Sequence, residues 1–306
     1  MSLNLQTFLR RLFSTVILIA ALAGVWLWNH PYGYAALICL LCNLSAVEWH
    51  CMLRENKRES NRWLILAAGL VYPWIIAWKT LEGTPGEEAA ELVTIEYTEA
   101  LAITIFAFKC LVGYALLAFA LEIVRMDYRG LSAREALQSL GTTLVGFIFP
   151  VWMFSFALEA LLEYPFHVRM LVWLVVATKL SDICAYVSGV LLGKQLVKRS
   201  FSPAVSPNKT WEGIVGSFIL TAGSAWLLME PLCGEAVMPA PLFFCLFMPA
   251  LFVLSVVGDL AGSLIKRGLG VKDSGKLLPG IGGVFDLIDS PAFTVVAFVG
   301  LLGIVG

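Results

Sequence analysis

Nine stretches of this chain are apolar for about the length of one membrane crossing, and short polar segments separate them. They run over residues 12–28, 32–53, 63–78, 100–124, 139–162, 168–192, 212–229, 241–264 and 284–305. A helix rises 1.5 Å per residue, so about 20 apolar residues cross about 30 Å of hydrocarbon. The pattern predicts an all-α, polytopic integral membrane protein with about nine transmembrane helices. The stretch 63–78 is short and fits a span that tilts little or is partly buried. No repeat, low-complexity tract or linker divides the chain, so residues 1–306 read as one integral membrane domain.

Composition agrees with the pattern. The chain is 59% hydrophobic and 14% charged, against roughly 25% charged residues in soluble proteins. A formal net charge of −1 gives no reason to expect nucleic acid. The seven cysteines lie mostly inside apolar runs and form no CxxC, so they read as small hydrophobes rather than a zinc site or disulfide framework.

Charge in the polar segments sets the orientation. With the N-terminus in the cytoplasm, 17 of the 21 basic residues fall on the cytoplasmic side. The opposite side keeps Lys79 and Arg169, and Lys109 and Lys179 fall within spans. Every loop then obeys the positive-inside rule. The acidic segment 79–99 falls outside. Arg10-Arg11, the apolar run and Ala21-Leu22-Ala23 also fit a cleavable signal peptide. The run continues through Val25-Trp26-Leu27-Trp28, which favours a retained span.

Two cytoplasmic segments carry unusual chemistry. In residues 193–213, Pro203 and Pro207 stop helices, and Ser206, Asn208 and Thr210 are natural caps for a helix starting near Trp211. Such a helix start, with Lys209 beside it, can hold a phosphate. The same loop could simply contact lipid headgroups. Residues 263–290 read SLIKRGLGVKDSGKLLPGIGGVFDLIDS, with seven ionisable residues in 28 positions. Lys266, Arg267, Lys272 and Lys276 supply positive charge, and six glycines let backbone come close to a ligand. A polyphosphate or anionic lipid headgroups would both suit it.

Carboxylates favour chemistry over simple lipid contact. Asp286 and Asp289 are three residues apart and share a helix face. Asp259 lies near the cytoplasmic end of the preceding span, and Asp182 lies inside the sixth. Carboxylates within spans are costly and are functional candidates. Beside phosphate-binding lysines they suit Mg²⁺, which takes a few carboxylates plus substrate phosphates. Asp182 could instead be a structural partner of Lys179. His30, His50 and His167 are scattered, with His50 close to Glu48. Neither GxSxG nor a Walker GxxxxGK[ST] occurs.

The spaced stretch S-L-I-K-R-x4-K-D-S-G-K-L-L-P-G-x-G-G-V-x-D-x-I-D resembles the signature of the phosphatidate cytidylyltransferase, or CDP-diacylglycerol synthase, family. SPNKTWEG and Asp182-x3-Tyr186-x2-Gly189 resemble that family too. The likeness is dense over about 178–291; upstream it rests on span pattern and Glu48-Trp49. It implies a helical membrane nucleotidyltransferase of phospholipid biosynthesis in a bacterial inner membrane, its site facing the cytoplasm. The implied reaction joins CTP and phosphatidate into CDP-diacylglycerol and pyrophosphate. Asp259, Asp286 and Asp289 become metal-site candidates for Mg²⁺, as one ion or with a second cation. These three and Lys272 are the catalytic candidates. Lys209, Asn208, Lys266, Arg267, Asp273 and Asp182 are the substrate-binding candidates. The implied partners are CTP, phosphatidate and membrane lipid, with a homodimer left open. Ile281 and Leu287 depart from the family's usual His and Arg. Two other readings stand beside this one: a CTP-dependent lipid kinase, and an ion-coupled transporter using Asp182, Lys179 and Lys109.

The orientation is directly testable in a cysteine-free background. Lys57→Cys, Gly130→Cys, Lys198→Cys and Lys272→Cys are expected to react with an impermeant thiol reagent only from the cytoplasm. Glu88→Cys and Glu235→Cys should react from the other side. Outside labelling at 198 or 272 would sink a cytoplasmic site, because CTP is cytoplasmic.

Overall fold

The structure is a computed structural model that describes residues 20–56, 60–82, 93–162, 166–192, 197, 200–234, 239–275, 277–278 and 282–305. It is helical, as expected. Residues 12–19 of the first predicted span lie outside the described residues, which begin with helix at 20–28. The long helices are α1 (Pro31–Glu55), α2 (Arg62–Glu82), α3 (Val93–Arg129), α4 (Ala133–Phe147) and α5 (Phe166–Leu192). After a hairpin come α6 (Trp211–Cys233), α7 (Met248–Leu269) and α8 (Val284–Val305). Among the described residues, seven helical segments are long and apolar enough to cross a membrane. Residues 83–92 of the acidic segment, with Glu87, Glu88 and Glu91, lie outside the described set.

Local chemistry explains most helix ends. Pro31 opens α1 at its first turn, where a missing N–H costs nothing. Ser132 and Glu135 form a reciprocal capping box at the start of α4. Thr210 caps α6, its hydroxyl accepting from Gly213 N at 3.0 Å. Gly234 and Gly270 close α6 and α7 at φ +89° and +83°, where a side chain would be strained.

Two expectations need correction. The span 139–162 is not one helix: α4 gives way to a π turn at Ile148–Met153 and a 3₁₀ turn at Phe156–Leu161. Pro150 lies in the π turn, where its ring and missing N–H break the regular ladder. This broken segment is buried among other helices, where irregular backbone is tolerated in a membrane. The segment 193–213 is not simply a loop. Ser200–Ser202 (β1) pairs antiparallel with Ser206–Thr210 (β2), turning around Pro203.

The core joins α1, α2, the broken segment, α5 and α8. Trp49 of α1 meets Phe285 of α8 at 5.7 Å between ring centroids, and Phe149 meets Phe285 at 5.4 Å. Met52, Leu53, Ile65 and Leu269 complete this cluster, just beneath the start of α8. The helix α3 stands largely outside, with Leu101, Ile105, Phe108, Val112 and Leu116 exposed in a helical stripe suited to lipid. Cys39, Cys42 and Cys233 are buried as expected, whereas Cys51 and Cys245 are exposed.

Glycines permit the closest crossing. Gly258 and Gly262 of α7 are spaced as small-xxx-small and lie against Asp289 and Ser290 of α8. A Cβ on Gly258 would stand 2.8 Å from the Asp289 carbonyl oxygen and 2.9 Å from Ser290 Cα. Backbone cannot yield as a side chain would. Gly258→Ala is therefore expected to lower stability by about 1–3 kcal/mol. Gly223→Ala, with nothing within 4 Å of the added carbon, should gain up to about 1 kcal/mol from helix propensity. Thermal unfolding of both in the same detergent checks this; equal shifts would show that the crossing is loose.

Candidate active site

The chemistry gathers around the first two turns of α8. The leading N–H groups of a helix lack partners within it. At α8 the preceding residue is Gly283, which has no side chain to cap them. Glu48, from α1, does so instead. Its Oε1 accepts from Val284 N at 2.8 Å and its Oε2 from Phe285 N at 2.9 Å. Asp286 Oδ2 accepts from Gly283 N at 2.9 Å, as the third residue of a capping box would. Ser274 is held between the two acids: its N and Oγ donate to Asp286 Oδ2 at 3.0 and 2.8 Å, and its Oγ donates to Glu48 Oε2 at 3.3 Å.

This assigns the glycines a different task from the one expected. Added side chains at Gly275 and Gly283 would strike Glu48, and one at Gly282 would strike Asp286. Gly282 also holds φ +130°. The close approaches at these three positions bring backbone to protein carboxylates.

From Asp286 a chain of opposite charges crosses three helices. Lys266, near the end of α7, donates to Asp286 Oδ1 at 2.5 Å and lies 3.7 Å from Asp289 Oδ2. Lys179 of α5 lies 3.6 Å from Asp289 Oδ1 and donates to Asp182 Oδ2 at 3.3 Å. Lys209, just before α6, pairs with Asp259 of α7. Asp259 sits ten residues before the end of α7, about 15 Å along the axis. The cluster thus reaches well inside the spans rather than stopping at their ends. Gly213 of α6 packs on Ala185 O and Gly189 of α5, bringing the α6 start down to this depth.

Every charge here has a neighbour of opposite sign, as buried charges require. The expected structural pair of Asp182 and Lys179 is present, but it belongs to the larger cluster. Asp286 and Asp289 share Lys266 and do face one way. Lys266 itself is buried in α7 rather than free in the loop. Arg267, Lys272 and Asp273 are exposed where α7 ends. The side chain of Asn208, and Lys276 and Ile281 entirely, lie outside what is described. His50 bonds the Arg62 carbonyl at 3.3 Å and packs at a tilt against Trp63, 4.7 Å between ring centroids, a structural role. Lys109 is exposed on α3, which weakens an ion path through it.

Sequence reasoning named Glu48 beside His50 and Trp49 but gave it no role, and it passed over Ser274. The rule that singled out Asp182, a carboxylate within a span, applies equally to Glu48. Its partners lie 226 to 237 residues away and could not be read from spacing.

An apolar cavity of about 200 Å³ adjoins the cluster. Leu37, Leu41, Val175, Leu287 and Ile288 help to line it, and Lys179 lies at its wall. A dry cavity of about 150 Å³ can hold a benzene-sized group, so this one is large enough for a short length of hydrocarbon. Leu287, one of the two departures from the family signature, adds apolar surface here.

The expectation of three carboxylate ligands is narrowed. Among the described residues, no three His, Cys, Asp or Glu side chains are grouped to hold a metal. Asp286 accepts from three donors at Oδ2 and from Lys266 at Oδ1. Asp259 and Asp289 are less encumbered by backbone. Hard oxygen ligands of this kind fit Mg²⁺, which uses one or two carboxylates with phosphate oxygens and needs no protein cage.

A family model described as the cytidylyltransferase family matches residues 9–305. The chain is 28% identical over 286 residues to the phosphatidate cytidylyltransferase of Haemophilus influenzae, covering 92% of this chain and 93% of that protein. It is 36% identical over 160 residues to the enzyme of that name from Pseudomonas aeruginosa, covering 52% of this chain and 55% of that protein. With the one from Helicobacter pylori the figure is 42% over 125 residues, covering 40% and 43%.

Proposed function

This chain belongs to the cytidylyltransferase family, and we propose that it is a phosphatidate cytidylyltransferase whose site opens to the cytoplasm in a bacterial inner membrane. The reaction joins CTP and phosphatidate into CDP-diacylglycerol and pyrophosphate. A phosphate oxygen of the lipid bonds to the α-phosphorus of CTP. The α–β phosphoanhydride bond breaks, and pyrophosphate leaves with its electron pair. The observation that carries the reading is the interleaved set of Asp182, Asp259, Asp286 and Asp289 with Lys179, Lys209 and Lys266 inside an apolar bundle.

Both reactants are anions, so the first task is to bring like charges together. A phosphate nucleophile needs no strong general base. Lys209 and Lys266 can exchange a carboxylate partner for a phosphate oxygen with little reorganisation. Lys179 stands between the charge cluster and the apolar cavity, where a lipid headgroup and chain would meet. Arg267 and Lys272, exposed at the end of α7, suit the triphosphate as it arrives from water. Bound Mg²⁺ supplies charge neutralisation on the leaving pyrophosphate. Asp259 and Asp289 would hold it, as one ion or part of a pair, while Asp286 fixes the neighbouring loop.

The test is purified protein with phosphatidate, labelled CTP and Mg²⁺. One pyrophosphate per CDP-diacylglycerol is expected, with no turnover in chelator. Release of CDP would move the assignment to a lipid kinase. Asp259→Asn and Asp289→Asn, compared per folded molecule because each leaves a lysine without its partner, should lose about a thousandfold in kcat/KM for CTP, since several kcal/mol of charge stabilisation at about 1.36 kcal/mol per decade amount to that. Near-full activity in both aspartate variants would overturn the metal assignment.

A further inference from the structure

We propose that Glu48 is a positioning residue for this reaction: it caps α8 from a separate helix and thereby sets where Asp286, Asp289 and Ser274 stand. The inference deepens the function proposed above and rests on it. Glu48 is 3% exposed and lies under the glycine-rich segment, so it acts through other groups rather than on substrate. Its two oxygens hold Val284 N and Phe285 N, which fixes both the height and the rotation of the α8 start. Asp286 follows one residue later and Asp289 one turn later. Their distances to Lys266 and Lys179 depend on that setting. Through the Ser274 hydroxyl, Glu48 also ties down the loop that begins after α7.

The arrangement divides a capping box between two parts of the chain. In an ordinary box the residue before the helix supplies an oxygen to the first turn, and the third helical residue reaches back. Here Asp286 reaches back to Gly283 N, but Gly283 has no oxygen to give. Glu48 occupies the space that a side chain there would fill: two of the three atoms nearest an added Cβ belong to Glu48. The α8 N-terminus is consequently filled by a protein carboxylate and is not a seat for a substrate phosphate. Phosphates are left to Lys179, Lys209 and Lys266, with Arg267 and Lys272 at the entrance.

The split cap predicts sign reversal between two substitutions. Gly283→Ser alone forces a hydroxymethyl group into Glu48 and should lower kcat. In Glu48→Ala the Glu48 atoms are gone, the remaining close neighbour, Ser274 Oγ, is a side-chain tip that can rotate aside, and the same serine supplies the missing cap within its own helix. We expect kcat per folded molecule to fall about a hundredfold in Glu48→Ala, the scale of an ångström-sized misplacement. Adding Gly283→Ser should recover most of the loss. Glu48→Gln, which keeps one acceptor oxygen, should fall between wild type and Glu48→Ala. A residue needed only for folding would change the folded yield and leave kcat per folded molecule alone.

Hydrogen exchange at the Val284 and Phe285 amides in detergent reads the cap without turnover. It should quicken in Glu48→Ala and slow again in the double variant. If wild type makes no CDP-diacylglycerol, the function fails while exchange still tests the cap. Should Glu48→Ala not fold, Glu48→Gln carries the same two measurements. Wild-type kcat and exchange in the Glu48 variant measured, or a Gly283→Ser substitution equally harmful with and without Glu48, would overturn the proposal.

Discussion

A charge held among apolar helices survives only if its neighbours neutralise it. In this chain that requirement links the parts of the fold. Asp182 needs Lys179, Lys179 also meets Asp289, Asp289 shares Lys266 with Asp286, and Asp259 meets Lys209. These residues come from α5, the end of the hairpin, α7 and α8. Removing one member strands its partners, and breaking a buried pair costs about 3–5 kcal/mol. The cluster is therefore a structural joint as well as a place for chemistry. The glycines of α7 make the joint close enough: Gly258 and Gly262 seat Asp289 directly against the helix that carries Asp259 and Lys266.

Much of this was legible in the sequence, for a physical reason. Membrane helices must satisfy their own backbone, so apolar length reports them directly. Asp182, Asp259, Asp286 and Asp289 stood out because charges are rare in such segments. The pairing of the charges was less legible. Lys266 was counted with a polar loop but is buried in the last turn of α7. The break at Pro150 was hidden because a π turn and a 3₁₀ turn keep the same apolar composition as a helix. Three of the six glycines, Gly275, Gly282 and Gly283, do mark close approach, but the groups that approach them are Glu48, Ser274 and Asp286, and sequence spacing cannot say what approaches.

The two ends of the site are built on different principles. Around α8 the carboxylates of Glu48 and Asp286 accept from backbone N–H groups, which cannot leave. Deeper in the bundle the carboxylates of Asp182 on α5, Asp259 on α7 and Asp289 on α8 face lysines on long, rotatable stems, and of these Asp289 also accepts from Ser290 N at 2.7 Å. The first arrangement is rigid and holds a loop. The second can change partners without moving a helix, which is what a site needs when phosphate oxygens must replace carboxylate oxygens at an ammonium group.

Formal charge adds a constraint on that exchange. Four aspartates and three lysines sum to −1 for the cluster. It is balanced to within one charge before any substrate arrives. Two further anions, a triphosphate and a lipid phosphate, would make it strongly negative in a low-dielectric setting, where like charges repel far more than in water. The lysines alone cannot absorb this, since each one turned toward phosphate leaves a carboxylate behind. On the proposed reading a divalent cation held by Asp259 and Asp289 would supply the missing positive charge. The lysine–carboxylate pairs would then be the resting form of a site that fills by exchange: Asp259 faces a lysine that can turn away, and Asp289 faces two, with Ser290 N remaining on its Oδ1.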